Sequence, residues 1–310
     1  MKHRSTLPPG LLRTEPDAKR SGLAATICAF VIWGVFPLYL RALAAVTPGQ
    51  ILSHRIVWSC VLVFGWIAWR GQLSAVHAAL AQPAVRWRLA ASACLISVNW
   101  LTYIWAVNNG HVVDASLGYF INPLVSVLLG IAVLHERLNR GQRVAVALAA
   151  AGVIYLTIVV GHPPWISLTL ALSFGLYGLI RKVVAVEAVP GLAVETLLLT
   201  PLAGAYLLWC ESQGTGAIGQ LGAPTDALLI GSGLATALPL ALFAYGARLI
   251  PLSTVGLTQY IGPTLQLLLG ITVFGEPFPA VRAWGFAMIW LALAIYAGDG
   301  LLRSRRLAVR

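Results

Sequence analysis

Charged residues are scarce in this sequence, and acidic residues are the scarcest. Only 10% of the 310 residues are charged, with 10 acidic against 21 basic side chains, while 59% are hydrophobic. A soluble domain needs more charge than this to cover its surface. The apolar residues also form recurrent runs of roughly 18 to 23 residues, each long enough to cross a hydrocarbon core of about 30 Å as a helix. The composition therefore excludes a soluble fold and predicts an all-α membrane protein.

Motifs for nucleotide hydrolysis and for metal binding are also missing. No G-x-x-x-x-G-K-[ST] segment and no H-E-x-x-H segment occur, and the six histidines lack metal-ligand spacing. We therefore expect no metal, no cofactor and no nucleotide hydrolysis by this chain. The four cysteines lie within or at the ends of apolar runs without C-x-x-C pairing, which predicts core packing for Cys28, Cys60, Cys94 and Cys210.

Ten membrane spans can be assigned from the apolar runs. The first run is too long for a signal peptide, contains Pro37 and is followed directly by further spans, so it is retained as a helix. The predicted spans are 22–44, 50–69, 89–108, 113–134, 143–160, 165–180, 191–210, 227–247, 252–274 and 281–301.

The basic residues indicate the orientation of these spans. If the N-terminal tail is cytoplasmic, every basic residue except Arg41, Arg55 and Arg282 falls on the cytoplasmic side. This distribution follows the positive-inside rule and predicts that both termini are cytoplasmic. The basic tails, 1–20 and 302–310, are then orientation signals and contacts for anionic lipid, so the net charge of +11 does not indicate a nucleic-acid partner.

An internal repeat divides the chain into two five-span halves, 22–160 and 165–301. A shift of 140 residues gives eight identities in the sixteen positions 121–136, and aligns Pro123 with Pro263 and Glu136 with Glu276. Because five is odd, the second half must enter the membrane from the opposite side. Inverted repeats of this kind are typical of alternating-access carriers, which hold the solute between the halves near the midplane.

The residues that carry this repeat also resemble a known family. The Gly-Tyr-Phe-Ile-Asn-Pro-Leu run at 118–124, the Gln-Tyr-Ile-Gly-Pro-Thr run at 259–264 and the Glu closing each fourth span are similar to the EamA branch of the drug/metabolite transporter (DMT) superfamily. Ser-His-Arg at 53–55 and Trp-Ala-Val-Asn-Asn at 105–109 resemble its RarD-type permeases. The resemblance implies a permease or exporter of a small organic solute or drug-like metabolite in a bacterial inner membrane.

Two ionisable positions inside spans are the first candidates for function. A charge in a span is costly, so Arg55, with His54 beside it, and Glu195 are expected to bind a charge of the solute or a coupling proton. The repeat makes them equivalent in inverted halves, which predicts a depth difference of about 10 to 20 Å and no direct salt bridge. The alternative is that each is a structural anchor.

A second set of candidates is polar or aromatic. Uncharged hydrogen-bonding groups among aromatic walls suit a small amphipathic molecule better than a bare ion. Taken singly, each could instead join helices or anchor them at the interface. The set comprises Trp33, Tyr39, Asn99, Trp100, Tyr103, Trp105, Asn108, Tyr119, Asn122, Gln259 and Tyr260.

Two prolines form the third set. Pro123 and Pro263 lie mid-span at one shared repeat position, where proline removes a helix hydrogen bond. They are expected to be hinges or to line a cavity, and an ordinary packing kink is the alternative. Glu136 and Glu276, at matching span ends, are expected to contact neighbouring loops.

Two other classes of function remain as alternatives to a carrier. An intramembrane enzyme could use His54 and Glu195 for acid–base work, but their predicted depths differ and no nucleophile is paired with a base. A channel would require rings of like charge or a carbonyl filter, and the sequence has neither. We therefore expect no enzyme activity.

Reporter fusions after Gln72 and after His162 test the predicted topology. Gln72 follows the second span and His162 the fifth, so a reporter after Gln72 should be cytoplasmic and one after His162 periplasmic. Finding both reporters on one side would contradict the ten-span inverted arrangement.

Overall fold

The computed structural model describes residues 15–134, 140–161, 163–247, 249–250, 254–255 and 258–308. Within these ranges the chain forms eleven helices and no strands. In chain order they are α1 (Glu15–Ala42), α2 (Pro48–Trp69), α3 (Leu73–Ala81), α4 (Pro83–Asn108), α5 (Val112–Leu134), α6 (Arg140–Val160), α7 (Trp165–Val183), α8 (Ala188–Ser212), α9 (Ala223–Ala247), α10 (Ile261–Thr272) and α11 (Ala280–Ala308).

The predicted all-α membrane fold of roughly ten spans is confirmed. Ten of the eleven helices coincide with predicted spans, and seven described helices are long and apolar enough to cross a membrane. Shorter apolar helices cover Trp165–Arg181 and Ile261–Thr272. The additional helix is α3, nine residues long, which the sequence analysis left in a loop. It was missed because it is too short to span and lies between the ends of two longer apolar runs.

Short connections make successive spans antiparallel, which gives the bundle two distinct ends. We call the end at which α1 begins the terminal end, and the other the far end. At the terminal end the Ser21 hydroxyl near the start of α1 lies 3.2 Å from the Tyr245 hydroxyl near the end of α9. At the far end Arg41, in the last turn of α1, donates from Nη1 to the Val273 carbonyl at 3.0 Å.

The most extensive helix pairings all join the segment before residue 161 to the segment after residue 164. They are α5 with α7, α1 with α10, α1 with α9, α4 with α7, α2 with α9, α4 with α8, α2 with α8, α6 with α11 and α5 with α10. The interface between these two segments is therefore the core of the bundle.

Glycines allow several of these helices to approach closely. A Cβ at Gly233 of α9 would lie 2.6 Å from the backbone carbonyl of Trp58 on α2, and one at Gly285 of α11 would overlap the Leu156 side chain on α6. Small residues at such contacts let membrane helices pack without a hydrophobic driving force.

The cysteines only partly follow the expected core packing. Cys60 and Cys210 are buried, whereas Cys28 and Cys94 are exposed on the bundle surface. The prediction was wrong for these two because a thiol is only weakly polar, and a position facing lipid accepts it as readily as the protein core does. All four thiols are free.

Gly233→Ala should destabilise the protein by about 1–3 kcal/mol, since its new methyl group would meet backbone atoms that cannot move aside. Gly231→Ala is the matched control, because a Cβ two residues earlier on α9 meets nothing within 4 Å. Thermal unfolding of the purified proteins measures both effects. Equal melting temperatures for the two variants would contradict the close α2–α9 packing.

Candidate functional site

Arg55 of α2 is buried among aromatic rings, with 6% of its surface exposed. Its guanidinium carbon lies 4.8 Å from the centroid of Phe36 on α1 and 4.7 Å from that of Trp100 on α4. Its Nε donates to the hydroxyl of Thr236 on α9 at 3.1 Å. No carboxylate in the described part of the chain pairs with it. Arg55 is therefore a buried cation stabilised by π faces and one hydroxyl.

Further rings complete an aromatic box around this cation. We use this name for Phe36, Tyr39, Trp100, Tyr103 and Tyr119. Phe36 stacks on Tyr39 with centroids 5.2 Å apart and on Tyr103 at 6.4 Å, and Tyr103 meets Tyr119 edge-on at 5.7 Å. The phenols of the three tyrosines are the ionisable groups that face Arg55.

Asn99 connects the box to α7. Its Nδ2 donates to the Leu170 carbonyl at 2.9 Å and to the Ser173 hydroxyl at 3.0 Å, and its Oδ1 accepts from the Tyr119 hydroxyl at 3.3 Å. Asn99 is 1% exposed. One amide therefore fixes the relative positions of α4, α5 and α7.

Glu195 of α8 forms a second buried polar cluster. Its Oε1 accepts from the Ser92 hydroxyl on α4 at 2.5 Å, and its Oε2 lies 3.5 Å from the Tyr177 hydroxyl on α7. The nearest cation is Arg181 in the last turn of α7, with Nη1 3.7 Å from Oε1. The carboxylate is thus held by two hydroxyl groups and one loosely placed guanidinium.

The two clusters lie apart along α4, which contributes to both. Ser92 contacts Glu195 and Trp100 covers Arg55. At about 1.5 Å per residue, these eight positions correspond to about 12 Å along the helix axis. Arg55 and Glu195 accordingly form no salt bridge with each other in the described structure.

The other predicted residues do not join the box. His54 is buried on α2 next to Arg55 in the chain. Trp33 packs against Phe30 and Phe243, and its carbonyl accepts from Gln266. Tyr260 packs against the cluster of α5, α6 and α11, and the neighbouring Gln259 is half-buried.

Two predicted asparagines retain buried atoms without partners, and one tryptophan lies at the far end. Both side-chain polar atoms of Asn108, and Oδ1 of Asn122, have no hydrogen-bond partner in the described structure. Trp105 stacks on His111 with centroids 5.6 Å apart, which suits an anchor near the helix end.

The two prolines differ in their local structure. Pro123 lies inside the continuous helix α5, whereas Pro263 is the third residue of α10 and follows a turn at 259–260. Since Pro263 has no N–H to donate to the carbonyl four residues earlier, a helix break at 259–260 has a direct cause. A hinge role for either proline stays a prediction.

Polar contacts join the two segments of the chain at the far end. The Glu276 carboxylate accepts from the backbone N–H groups of Val112 and, at 2.8 Å, Val113, which caps the start of α5. Arg282 lies 3.5 Å from Asp114. The loop contact expected for Glu276 is thus a helix cap, while Glu136 lies outside the described residues.

Sequence reasoning missed several members of these clusters. Phe36, Ser92, Thr236 and Tyr177 were not predicted, and Arg181 was placed in a loop. A signal existed on α4, where Ser92, Asn99 and Tyr103 follow at intervals of seven and four and so share one helix face.

An all-helical bundle of hydrophobic spans with polar clusters buried between its segments is the architecture of a polytopic membrane protein. Comparison with known proteins specifies the family. The model of the EamA-like transporter family matches residues 20–158. Together with the full-length relatives below, this match shows that the chain belongs to the EamA-like transporter family.

The relatives share both length and sequence with this chain. An uncharacterized transporter of Vibrio cholerae is 45% identical over 93% of this chain and 95% of its own. Protein RarD of Escherichia coli is 43% identical over 94% of this chain and 99% of its own. A solved crystal structure with 19% identity superimposes with a TM-score of 0.57 over 93% of this chain and 99% of its own, which shows the common fold.

Asn99→Ala should lower the free energy of unfolding by about 1–3 kcal/mol, because the Tyr119 hydroxyl and the Ser173 hydroxyl lose a buried partner. Asn109→Ala is the control, since Asn109 is exposed, directly follows α4, and its side chain makes one hydrogen bond, to the Trp105 carbonyl of that helix. Thermal unfolding of purified protein measures both variants. Equal loss of stability in the two would contradict the connecting role of Asn99.

Proposed function

We propose that this protein is a secondary carrier that moves a small organic solute across a bacterial inner membrane by alternating access. The observation that carries the proposal is the buried Arg55 in its aromatic box. The rings of the box come from α1, α4 and α5, and the Arg55 that they cover, on α2, is held from the other segment by Thr236 of α9. A polar site at the interface of two segments is where such carriers bind solute.

Two inverted repeats, 22–160 and 165–301, provide the moving parts. Exchanging each helix with its counterpart 140 residues away maps α1 onto α7, α2 onto α8, α4 onto α9, α5 onto α10 and α6 onto α11. This exchange maps the most extensive helix pairings onto one another: α1 with α9 becomes α7 with α4, and α5 with α7 becomes α10 with α1. The family model also matches 20–158, nearly the range of the first repeat.

Both termini are cytoplasmic in this proposal. The terminal end then faces the cytoplasm and holds Arg70, Arg86, Arg88 and Arg143, whereas the far end holds Arg41 and Arg282. This asymmetry follows the positive-inside rule. The relatives named above are bacterial, which supports an inner membrane as the location.

The far-end contacts act as the periplasmic gate. Arg41 to Val273, Glu276 to Val112 and Val113, and Arg282 to Asp114 each join one repeat to the other. Opening toward the periplasm requires these contacts to break together. The structure with the contacts formed is the state closed on that side.

Glu195 is the candidate for a coupling proton. A carboxyl group can carry a proton through a conformational cycle only if it is shielded from water in at least one state. Glu195 meets this condition, because only 1% of its surface is exposed. Ser173 and Tyr177 lie four residues apart on one face of α7 and contact Asn99 and Glu195. Through these two residues α7 contacts both clusters. Protonation of Glu195 can therefore be transmitted to the box by a movement of α7.

Arg55→Ala and Glu195→Gln should each reduce transport more than tenfold while leaving protein in the membrane. Arg55→Ala removes the cation of the box, and Glu195→Gln keeps the shape of the side chain but cannot ionise. Mass spectrometry of the solutes inside and outside expressing cells identifies an unmodified cargo and measures its flux. Arg70→Gln, an exposed loop change, is the control.

Unchanged flux in both variants would assign structural roles to both residues. If the solute appeared chemically altered instead of relocated, the carrier function itself would be contradicted.

A further inference from the structure

We infer that the solute held in the aromatic box carries a single carboxylate group on a planar apolar body. This inference rests on the proposed function, because it takes the box as the solute site. It adds the chemical class of the solute, which neither the family nor the relatives' names specify.

The charge of Arg55 is the first argument. A guanidinium buried in an apolar bundle is costly unless a counter-charge is present. In the described part of the chain its cation–π and hydrogen-bond partners are Phe36, Trp100 and Thr236, none of which carries a negative charge. An anionic solute would complete the ion pair on binding, so binding would gain an interaction that the empty site lacks.

The geometry of Arg55 selects the anionic group. Phe36 and Trp100 lie against the guanidinium, and Nε is engaged by Thr236. Among the described residues the two terminal nitrogens, Nη1 and Nη2, have no hydrogen-bond partner. Two parallel N–H donors from one guanidinium match the two oxygens of a carboxylate.

The lack of a second cation limits the charge of the solute. The ionisable groups that face Arg55 are the phenols of Tyr39, Tyr103 and Tyr119, and no lysine or further arginine of the described chain is among them. A phosphate monoester, which carries close to two charges at neutral pH, would be only half neutralised. One carboxylate balances one guanidinium.

The walls of the box define the rest of the solute. Phe36 lies against the cation, and Tyr39, Tyr103 and Tyr119 extend the aromatic wall from it through ring contacts. Aromatic rings bind planar apolar bodies by stacking and edge contacts. The Tyr103 hydroxyl is buried, with the residue 4% exposed, and has no hydrogen-bond partner in the described structure. It supplies a donor for a carboxylate oxygen or a polar substituent.

Thermal unfolding of the purified full-length protein with matched ligands tests the inference. The probes are phenylacetate and indole-3-acetate, each compared with its neutral amide and with phenethylammonium. A ligand that binds only the folded protein raises its melting temperature. We expect the two carboxylates to raise it and the amides and the cation to leave it unchanged.

Variants locate the effect at the box. Arg55→Gln should abolish the stabilisation by carboxylates and Arg70→Gln should keep it. Tyr103→Phe, which keeps the ring, should weaken binding several-fold and remains informative if Arg55→Gln fails to fold. Arg55→Lys should bind more weakly than wild type, because an ammonium group cannot form the paired contact.

Three results would overturn the inference. The first is that the amides or phenethylammonium raise the melting temperature as much as the carboxylates do. The second is that neither carboxylate raises it. The third is that Tyr103→Phe and Arg55→Lys both bind the carboxylates as tightly as wild type. These outcomes leave carrier function standing, since solute flux in expressing cells is measured separately. Conversely, carboxylate binding without flux would support the inference about the site and contradict the transport proposal.

Discussion

A permanently charged guanidinium inside an apolar bundle is the constraint on which the rest of this structure depends. Arg55 cannot lose its charge by deprotonation at any ordinary pH, so the surrounding helices must stabilise it. They do so with the rings of Phe36 and Trp100 and with the Thr236 hydroxyl. These groups come from three helices other than that of Arg55, which ties the positions of α1, α4 and α9 to one side chain.

This arrangement also explains why the two segments of the chain interlock. The most extensive helix pairings all cross between them, and glycines such as Gly233 bring the backbones close together. Lipid chains are as apolar as leucine, so packing and buried polar contacts have to supply the association that water exclusion supplies in soluble proteins. A rigid movement of one segment against the other preserves contacts within each, and exchanges only those between them.

The helices could be predicted well from the sequence, and the members of the candidate site only in part, for physical reasons. A membrane span needs about twenty apolar residues, and that signal is local, so ten helices could be placed and only α3, with nine residues, was missed. Arg55 and Glu195 were found because a charge in a span is conspicuous. Their partners Thr236 and Tyr177 were not found, because hydroxyl side chains are common in apolar helices. Which group a hydroxyl contacts depends on how each helix is rotated about its own axis. Gln259 and Tyr260 were grouped with the box by composition, whereas the structure places Tyr260 against another cluster.

The separation of the two buried charges has a consequence of its own. If Arg55 and Glu195 formed a salt bridge, they would neutralise each other, and neither side chain would be available to bind another charged group. About 12 Å apart along α4, at an effective dielectric constant near 20, opposite charges attract by only on the order of 1 kcal/mol. Each can therefore bind its own partner nearly independently through charge alone. The helices α4 and α7 contact both clusters, through Ser92, Asn99, Ser173 and Tyr177. A shift of either helix therefore alters hydrogen bonds in both places, at Asn99 beside the box and at Glu195.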